Sequence, residues 1–482
     1  MIAPLLALAV TAGPAPMPSV DGAEATILVA RMDRMGRMVS FLERAGRYST
    51  LLRPTAWVSE LHPLVSFDPT RPDSIAAAGI DPAAGMAISL FPEGRVSCIT
   101  ILDPSRYEPP AQARLAQLGA VGRAKDAGAS VVVAAVKGRA VAGYVMRGKI
   151  SCSTEGPRSE DLLRKTARAL ARPAKKAPWT SAAAAEDSAW FVSDTSTLQV
   201  TGKLDTLEVR GSSASTGAVP TLKPAGPSPY GAVPPSGLLM VRAKVAPDGV
   251  RTALGRMGAQ LLAACEVCNP DVVGSLISSL RGELTGEVML RVDRMRTPPG
   301  SLRSRPARYF AVKHASLAEV AHPEVVSTAL EALIKLGAVR TAQDAYALKA
   351  GTDAEAGTIY AGLAGKQLYL ANDEQALKAA LTAVTSAAPA PLPHGADVFV
   401  DPGLVSRALK QVSLLDLMSS RDLAPLVAAG TELGPLLSHS ELLTAWIDAD
   451  GTSQRYAFTW KLFTPAASEE TPAGSNPGAA PR

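Results

Sequence analysis

Apolar and polar residues alternate along two stretches near the C-terminal end of the chain, residues 442–449 and 455–462. A period of two places successive side chains on opposite faces of an extended chain, so each stretch is predicted to be a β-strand with one buried face. Asp450-Gly451 lies between the two stretches, and Asp-Gly is a strong turn signal. The pattern therefore predicts an antiparallel hairpin.

A longer unit spans residues 357–384. Its pattern predicts a strand, a Gly365-Lys366 turn, a second strand, and a helix that begins after Asn372-Asp373. Residues 142–170 carry a weaker copy, with Gly148-Lys149 at the turn and a helix after the hairpin. We interpret the pair as an internal duplication of an α+β unit. Chance similarity between Ala-rich helices is the alternative.

The composition changes at residues 211–237, where Pro, Gly and Ser dominate and the apolar periodicity is lost. This composition predicts a linker, and a similar order of strands, hairpins and helices precedes and follows it. Hairpins combined with helices predict mostly antiparallel sheets. We therefore predict the α+β class, with two related modules, each a mostly antiparallel sheet with helices packed on one face. The predicted boundaries are a signal segment at 1–22, a first module at 23–210, the linker at 211–237, a second module at 238–463 and a disordered tail at 464–482.

The composition describes a globular protein with enough apolar residues for a large core. Of 482 residues, 47% are hydrophobic and 19% are charged. The net charge is only +5, and the 49 Lys and Arg residues are scattered among 44 Asp and Glu residues. Nucleic-acid-binding proteins concentrate basic residues in a patch or stripe, so the charge pattern excludes nucleic acid as the expected partner.

The first 16 residues hold a short apolar run followed by small residues, which is typical of a secretory signal segment. The basic residues that usually begin such a segment are missing. Val10-Thr11-Ala12 is the expected cleavage site, and no cysteine follows it that could carry a lipid anchor. Because no stretch reaches the ~20 apolar residues needed to span a bilayer, we predict no transmembrane segment. The expected location is the periplasm or the exterior of a bacterial cell.

Four cysteines fit export into an oxidising compartment. Cys98 and Cys152 lie on predicted strands of the first module and are candidates to pair, although two buried thiols are the alternative. Cys265 and Cys268 form a Cys-x-x-Cys pattern at the C-terminal end of a predicted helix, residues 249–264. Redox pairs place the first thiol at a helix N-terminus, where amide dipoles lower its pKa. A structural disulfide is therefore favoured over buried thiols and over redox chemistry.

The residues that most often carry catalysis are not arranged in any recognisable motif. We find no nucleophile elbow, phosphate-binding loop or dinucleotide fingerprint. The five histidines are interpreted as surface or capping residues: His62, His314, His322, His394 and His439. None of them has the spacing of a zinc site. We predict no catalytic, cofactor-binding or metal-binding residues, and hence no enzyme.

Methionines are unusually frequent on two predicted helices and the residues leading into them, at Met32, Met35, Met38 and Met257. Methionine adapts to irregular apolar ligands, so these positions could line a lipid groove. Packing in the core is the favoured interpretation.

Three stretches carry a resemblance to known proteins: ILVARMDRMGRMVSFL at 27–42, the 78–82 turn leading into MAISLF, and GLAGKQLYLANDEQAL at 362–377. Together they resemble uncharacterised exported bacterial proteins classified only as domains of unknown function. The resemblance implies export and α+β character, and no activity.

The sequence thus predicts an exported, non-catalytic binding or scaffolding protein of the bacterial cell envelope, whose partner is an unknown protein or an apolar ligand. The alternative is a carrier of a lipid or other apolar ligand held between helix layer and sheet. A large apolar cavity between the two layers would favour the carrier.

Overall fold

The structure is a computed structural model. It describes residues 22–29, 31–49, 62–68, 71–156, 158–171, 188–193, 195–214, 221–222, 226–246, 249–250, 255, 258–259, 262, 268–295, 309–350, 357–411 and 433–463. The predicted signal segment falls, apart from residue 22, outside these residues, and the predicted tail lies wholly outside them.

Strands are the most abundant regular structure in the described chain. In chain order they are β1 Ala25–Val29, β2 Met86–Phe91, β3 Gly94–Thr100, β4 Ala120–Asp126, β5 Ala129–Val136, β6 Arg139–Arg147, β7 Ile150–Glu155, β8 Ser188–Ser193, β9 Ser196–Gly202, β10 Thr206–Ala214, β11 Pro227–Ser228, β12 Leu239–Lys244, β13 Leu284–Met295, β14 Val312–Val320, β15 Val339–Ala342, β16 Ala345–Lys349, β17 Thr358–Ala364, β18 Gln367–Ala371, β19 Ala390–Pro391, β20 Ala396–Val400, β21 Ser440–Ala449 and β22 Ser453–Leu462.

The helices of the described residues are α1 Met35–Ala45, α2 Pro72–Ala77, α3 Pro104–Leu118, α4 Ser159–Ala171, α5 Pro270–Leu280, α6 Pro323–Leu330, α7 Glu374–Ser386 and α8 Pro402–Gln411, with 3-10 turns at Met32–Arg34 and Glu331–Leu336. Side-chain caps fix several of their starts. Asp103 accepts a hydrogen bond from the Ser105 amide at α3, and Asp373 accepts one from the Ala376 amide at α7. Such caps satisfy amides that have no partner within the helix.

Twenty strands of the described chain form one sheet. From edge to edge the order is β4, β5, β6, β7, β3, β2, β1, β8, β9, β10, β22, β21, β20, β12, β13, β14, β18, β17, β16, β15, and every neighbouring pair is antiparallel. The hairpin predicted from alternation is β21 and β22, which lie near the centre of this sheet.

The prediction of two separate modules is wrong. β10 and β22 pair from Thr206 opposite Lys461 to Ala214 opposite Ser453, so the hydrogen-bond ladder continues from the first half into the second. Two separate sheets would each leave one of these strands, nine and ten residues long, as an unpaired edge. The pairing removes both edges and makes a single large antiparallel sheet.

Helices cover both faces of the sheet, which also corrects the prediction of helices on one face. In the second half, one core cluster contains Val273, Leu276 and Leu280 of α5, and another contains Ala376 and Leu377 of α7. The strands alternate between the clusters. Leu368 and Leu370 of β18 pack against the first, and Tyr369 lies in the second.

Each half places its strands in the same order, counted outward from the central pair. The first half runs β9, β8, β1, β2, β3, β7, β6, β5, β4, and the second runs β21, β20, β12, β13, β14, β18, β17, β16, β15. Gly148 ends the β6 hairpin arm with a φ of +59°, and Gly365 ends the β17 arm with a φ of +60°. The two Gly-Lys turns therefore occupy equivalent places.

Part of the predicted linker is ordered. Its first four residues, 211–214, are the end of β10. Further on, Tyr230 and Val233 are buried in the core of the second half. The Arg242 guanidinium donates to the carbonyl oxygens of Gly231 at 3.1 Å and Val233 at 2.9 Å, which satisfies backbone groups in this turn. This Pro- and Gly-rich segment therefore forms a turn that is hydrogen-bonded to Arg242.

Candidate functional site

An apolar cavity of about 260 Å³ lies between the sheet and the helices of the second half. Strands β12, β13, β14, β18, β17 and β16 form its floor. Its roof includes α5, Val250 and Gly258, Leu330 at the end of α6, and Leu333 in the 3-10 turn that follows. The cavity lies on the face of the sheet opposite α7.

The floor is centred on one row of cross-strand neighbours. Paired residues of an antiparallel sheet point to the same face. The row contains one residue from each of six strands and consists of Val241, Leu290, Ser316, Leu370, Ala361 and Tyr346. All but Tyr346 are only half-buried, although helices cover them. The helix layer thus leaves space above the sheet.

The apolar stripe of α5 is the largest part of the roof. Val273, Leu276, Ile277 and Leu280 recur at the three- and four-residue spacing that places side chains on one face of a helix. The helix begins where Asn269 accepts a hydrogen bond from the Asp271 amide at 2.9 Å, with Pro270 at the first helical position. This helix was not predicted from the sequence, although its Asn-Pro start and apolar spacing indicate it.

Polar groups are rare in the cavity. No Lys, Arg, His, Asp or Glu side chain is among the described residues that line it. The two polar side chains in the floor row are Ser316 and Tyr346. Tyr346 is 2% exposed, and its hydroxyl is buried with no hydrogen-bond partner among the described residues. A buried hydroxyl without a partner costs about 1–3 kcal/mol.

The equivalent space in the first half is filled. There the matching row consists of Ile27, Ile88, Ser97, Ser153, Tyr144 and Val132. Tyr144 lies four residues before Gly148, as Ala361 lies four residues before Gly365. Tyr144 is fully buried, and Tyr107 of α3 packs edge-on against it with ring centres 6.0 Å apart. An aromatic ring in one half thus corresponds to a methyl group in the other.

His62 completes the filling of the first half. Its Nδ1 accepts hydrogen bonds from the amides of Leu64 at 3.3 Å and Val65 at 3.2 Å, so the ring proton is on Nε2. Nε2 lies 3.3 Å from Ser153 Oγ. Burial, and to a smaller extent the Arg95 charge, lower the pKa of His62 to about 3. The histidine therefore packs as a neutral ring.

Tyr107 belongs to the same buried group. Ser151 Oγ donates to its hydroxyl oxygen at 3.0 Å, and burial raises the pKa of Tyr107 well above its ordinary value. Leu370 stands at the place of Ser153 in the second half, so the residue that contacts His62 has no polar equivalent there. At the described positions of this row, the second half has neither a ring in the place of Tyr144 nor a hydroxyl in the place of Ser153.

The predicted pairing of Cys98 with Cys152 is confirmed. The two cysteines lie directly opposite each other on β3 and β7, with Cα atoms 4.0 Å apart, and form a disulfide. Cys268 is also disulfide-bonded, whereas Cys265 lies outside the described residues. The Cys98–Cys152 bond faces α4, away from the row that corresponds to the cavity floor.

Three of the other histidines pack against aromatic rings. Measured between ring centres, His314 lies 5.0 Å from Tyr309. His394 stacks on Trp446 at 4.0 Å, and His439 stacks on Tyr48 at 3.8 Å. His322 is exposed and lies 2.9 Å from Glu283. Within the described ranges, no three His, Cys, Asp or Glu side chains are grouped as metal ligands would be.

Two of the four methionines considered for a lipid groove are core residues. Met32 is fully buried and Met35 is 2% exposed, both in the filled core of the first half. The Met38 side chain and Met257 lie outside the part of the chain that the structure describes. In the second half the cavity is lined mainly by Val, Leu, Ile and Ala.

Across the described ranges, no helix has the length and hydrophobicity needed to cross a bilayer. No protein-family model matches the chain, and no curated protein matches it. Among solved structures, one described as crystal form I of TP0453 is 10% identical, with a TM-score of 0.28. The match covers 43% of this chain and 82% of that one. A likeness this slight carries no argument about fold or function.

Proposed function

We propose that this protein is an exported, non-catalytic binding protein that holds an apolar ligand between the helix layer and the sheet of its second half. The observation that carries the proposal is the cavity of about 260 Å³ above the Val241–Tyr346 row. Ligand sites are typically concave, mostly apolar and largely formed before binding.

The apolar lining of the cavity supports a ligand. The cavity is only partly enclosed, so this lining contacts water when no ligand is bound. An apolar ligand that covers it would remove apolar surface from water, which is favourable by about 25 cal/mol per Å².

The first half supports the same interpretation. It has the same strand order, yet it fills the corresponding space with Tyr144, Tyr107 and His62. The fold therefore allows a packed core at this place. Ala361 and Leu370 in the second half leave the space open instead, which favours the carrier over a purely scaffolding role.

The test is binding of N-phenyl-1-naphthylamine, an uncharged apolar dye, to the full chain after removal of co-purified lipid. We expect saturable binding with one site per chain. Ala361→Phe introduces a ring where the first half carries Tyr144, and we expect it to abolish dye binding. Thr382→Phe is the matched control, because Thr382 is exposed on α7 across the sheet.

A thermal melt establishes that each variant is folded. If Ala361→Phe fails to fold, Ala318→Phe fills the cavity from a neighbouring position of β14. Saturable binding that both folded filling variants retain, or no saturable binding by the wild type, would contradict the proposal.

Two broader proposals accompany this one. Export is supported by the buried Cys98–Cys152 disulfide, since disulfides persist in oxidising compartments. An intact mass lower by the signal segment, for protein taken from its native cells, is the expected result. Internal duplication is supported by the matching strand orders of the two halves.

A further inference from the structure

The two edges of the large sheet differ in how well they can accept another strand. At one edge, β15 is four residues long, and its pairing with β16 contains a register shift. Short and irregular edges are among the features that prevent further strand pairing. At the other edge, β4 is seven residues long and pairs with β5 in unbroken register. The β4 edge is therefore the one that is regular enough to take an added strand.

The outer backbone groups of β4 belong to three alternate residues. The turn between β4 and β5 has two residues, 127 and 128, with φ values of +49° and +78°. The residues that flank such a turn exchange backbone hydrogen bonds, and this exchange recurs at every second residue along the pair. Asp126, directly before the turn, thus bonds to β5, whereas the amides and carbonyls of Val121, Arg123 and Lys125 point away from it. Within the described chain, no backbone hydrogen bond reaches these outer groups.

The side chains of the same three residues lie on one face of β4, because they alternate along the strand. Arg123 and Lys125 are exposed. The Arg123 guanidinium donates to the neutral amide oxygen of Gln112 at 2.5 Å, and neither cation forms an ion pair with a described carboxylate. Arg147 donates to a carbonyl of the turn at 3.4 Å and so adds a third positive charge at the Lys125 end. This part of the edge is positively charged and has no countercharge.

The opposite end of β4 is apolar. Val121 is 41% exposed, and Val136, diagonal to it on β5, is 44% exposed. Leu118, the last residue of α3, is 38% exposed and lies two residues before the strand. An apolar side chain opposite Val121 would remove part of this surface from water, which is favourable.

The charges of β4 disfavour a second copy of this chain as the added strand. If two β4 strands paired antiparallel about their middle residues, Arg123 would face Arg123, and like charges directly opposite each other are destabilising. β15 has no acidic residue and carries Arg340, so pairing of β4 with the other edge of a second copy gains no countercharge. An acidic strand from a different protein fits the edge better.

We propose that β4 is a docking edge for an extended segment of a partner protein, which adds to the sheet as an antiparallel strand. The segment has the pattern acidic-x-acidic-x-apolar, with its acidic residues opposite Lys125 and Arg123 and its apolar residue opposite Val121. In such strand addition the main-chain hydrogen bonds provide affinity, and the alternate side chains provide specificity. The antiparallel direction follows the other pairings of this sheet. The interface is independent of the apolar cavity in the second half.

The test is fluorescence anisotropy with the full chain and a labelled peptide of sequence TETETLT. We expect saturable binding with one site per chain, at least tenfold tighter than binding of TKTKTLT. In the proposed register the amides of the two glutamates face β4, and those of the threonines between and after them face away. N-methylation of both glutamates should therefore weaken binding at least tenfold. N-methylation of the two threonines that follow the glutamates is the matched control and should leave binding unchanged.

A charge reversal tests the protein side of the interface. We expect the Arg123→Glu, Lys125→Glu double variant to bind TETETLT at least tenfold more weakly than the wild type, and TKTKTLT more tightly. Lys335→Glu, Arg340→Glu is the matched control, because it makes the same charge change near the β15 edge. A thermal melt establishes that each variant is folded. If the β4 variant does not fold, the comparison of N-methylated peptides on the wild type decides.

Several outcomes would overturn the inference. They are absence of saturable TETETLT binding, equal effects of the two N-methylation patterns, and full binding by the folded β4 variant. A wild-type dimer in sedimentation that the β4 variant dissociates would assign the edge to a second copy instead. Binding to vesicles of phosphatidylglycerol and phosphatidylcholine in place of the peptide, lost in the β4 variant, would assign it to a membrane surface.

Discussion

Acid should destabilise the first half through His62. The ring is 4% exposed and neutral, and both of its nitrogens already have hydrogen-bond partners. Nδ1 accepts two amide hydrogen bonds, and Nε2 lies against Ser153 Oγ. A proton added at Nδ1 would meet the amides of Leu64 and Val65, which are themselves donors. Protonation therefore requires the histidine to leave this site.

The size of the stability loss follows from the difference between the pKa of His62 in the folded protein and in the unfolded chain. The pKa of His62 is about 3 in the folded protein and 6.5 in an exposed chain. Between these values the unfolded chain binds a proton that the folded protein does not, so stability falls as the pH falls from 6.5 toward 3. One pKa unit corresponds to about 1.4 kcal/mol, which gives a loss of about 2 kcal/mol between pH 8 and pH 5. Carboxylates contribute little in this interval, because their unfolded pKa values are about 4.

The assay is urea unfolding at pH 8 and pH 5, for the wild type and for His62→Gln. Glutamine retains an acceptor and a donor but does not titrate. We expect the pH-dependent loss to shrink by about 2 kcal/mol in the variant. His314, whose pKa burial also lowers, remains in both proteins and cancels in the comparison.

A histidine Cε1–H spectrum of the folded wild type gives an independent measurement. We expect the His62 signal not to shift between pH 8 and pH 5. Equal pH dependence in the two proteins, or a His62 signal that titrates near pH 6.5, would refute the reasoning.

Two further predictions concern stability. The Cys98→Ala, Cys152→Ala double variant should lose about 4 kcal/mol of unfolding free energy, measured in urea, because the disulfide closes a loop with a sequence separation of 54. An unchanged urea midpoint would argue against this chain-entropy account. Gly148→Ala and Gly365→Ala should each lose about 1–2 kcal/mol, because both glycines have a left-handed backbone and open space around the added Cβ. Clearly unequal losses at the two turns, measured in the same way, would contradict their equivalence.

Two strands that were not predicted from the sequence, β4 and β15, have no usable period. β4 and β15 are the two edge strands of the sheet, and nearly all of their residues are exposed. A strand without a face packed against a core does not need alternating apolar and polar residues, so its sequence pattern does not identify it. The interior hairpin β21–β22, which has an apolar face, was predicted from its alternation.

The cavity could not be predicted from the sequence. Its floor contains Ala361 and Leu370, which are ordinary residues for strands, and its volume depends on how far α5 lies from the sheet. The residue difference that coincides with the cavity becomes visible only when the two halves are compared strand by strand. Tyr144 then corresponds to Ala361, and the difference in side-chain volume coincides with the open space.

The sequence by itself determined local structure: the Gly-Lys hairpins, the helix that begins after Asn372-Asp373, and the candidate pairing of Cys98 with Cys152. These features depend on side-chain period, turn chemistry and capping within a few tens of residues. Tertiary structure alone decided that β10 pairs with β22, that helices cover both faces, and that one core is filled while the other is open. The physical reason is that strand pairing and packing join residues far apart in the chain, and their energies depend on distances that no local pattern records.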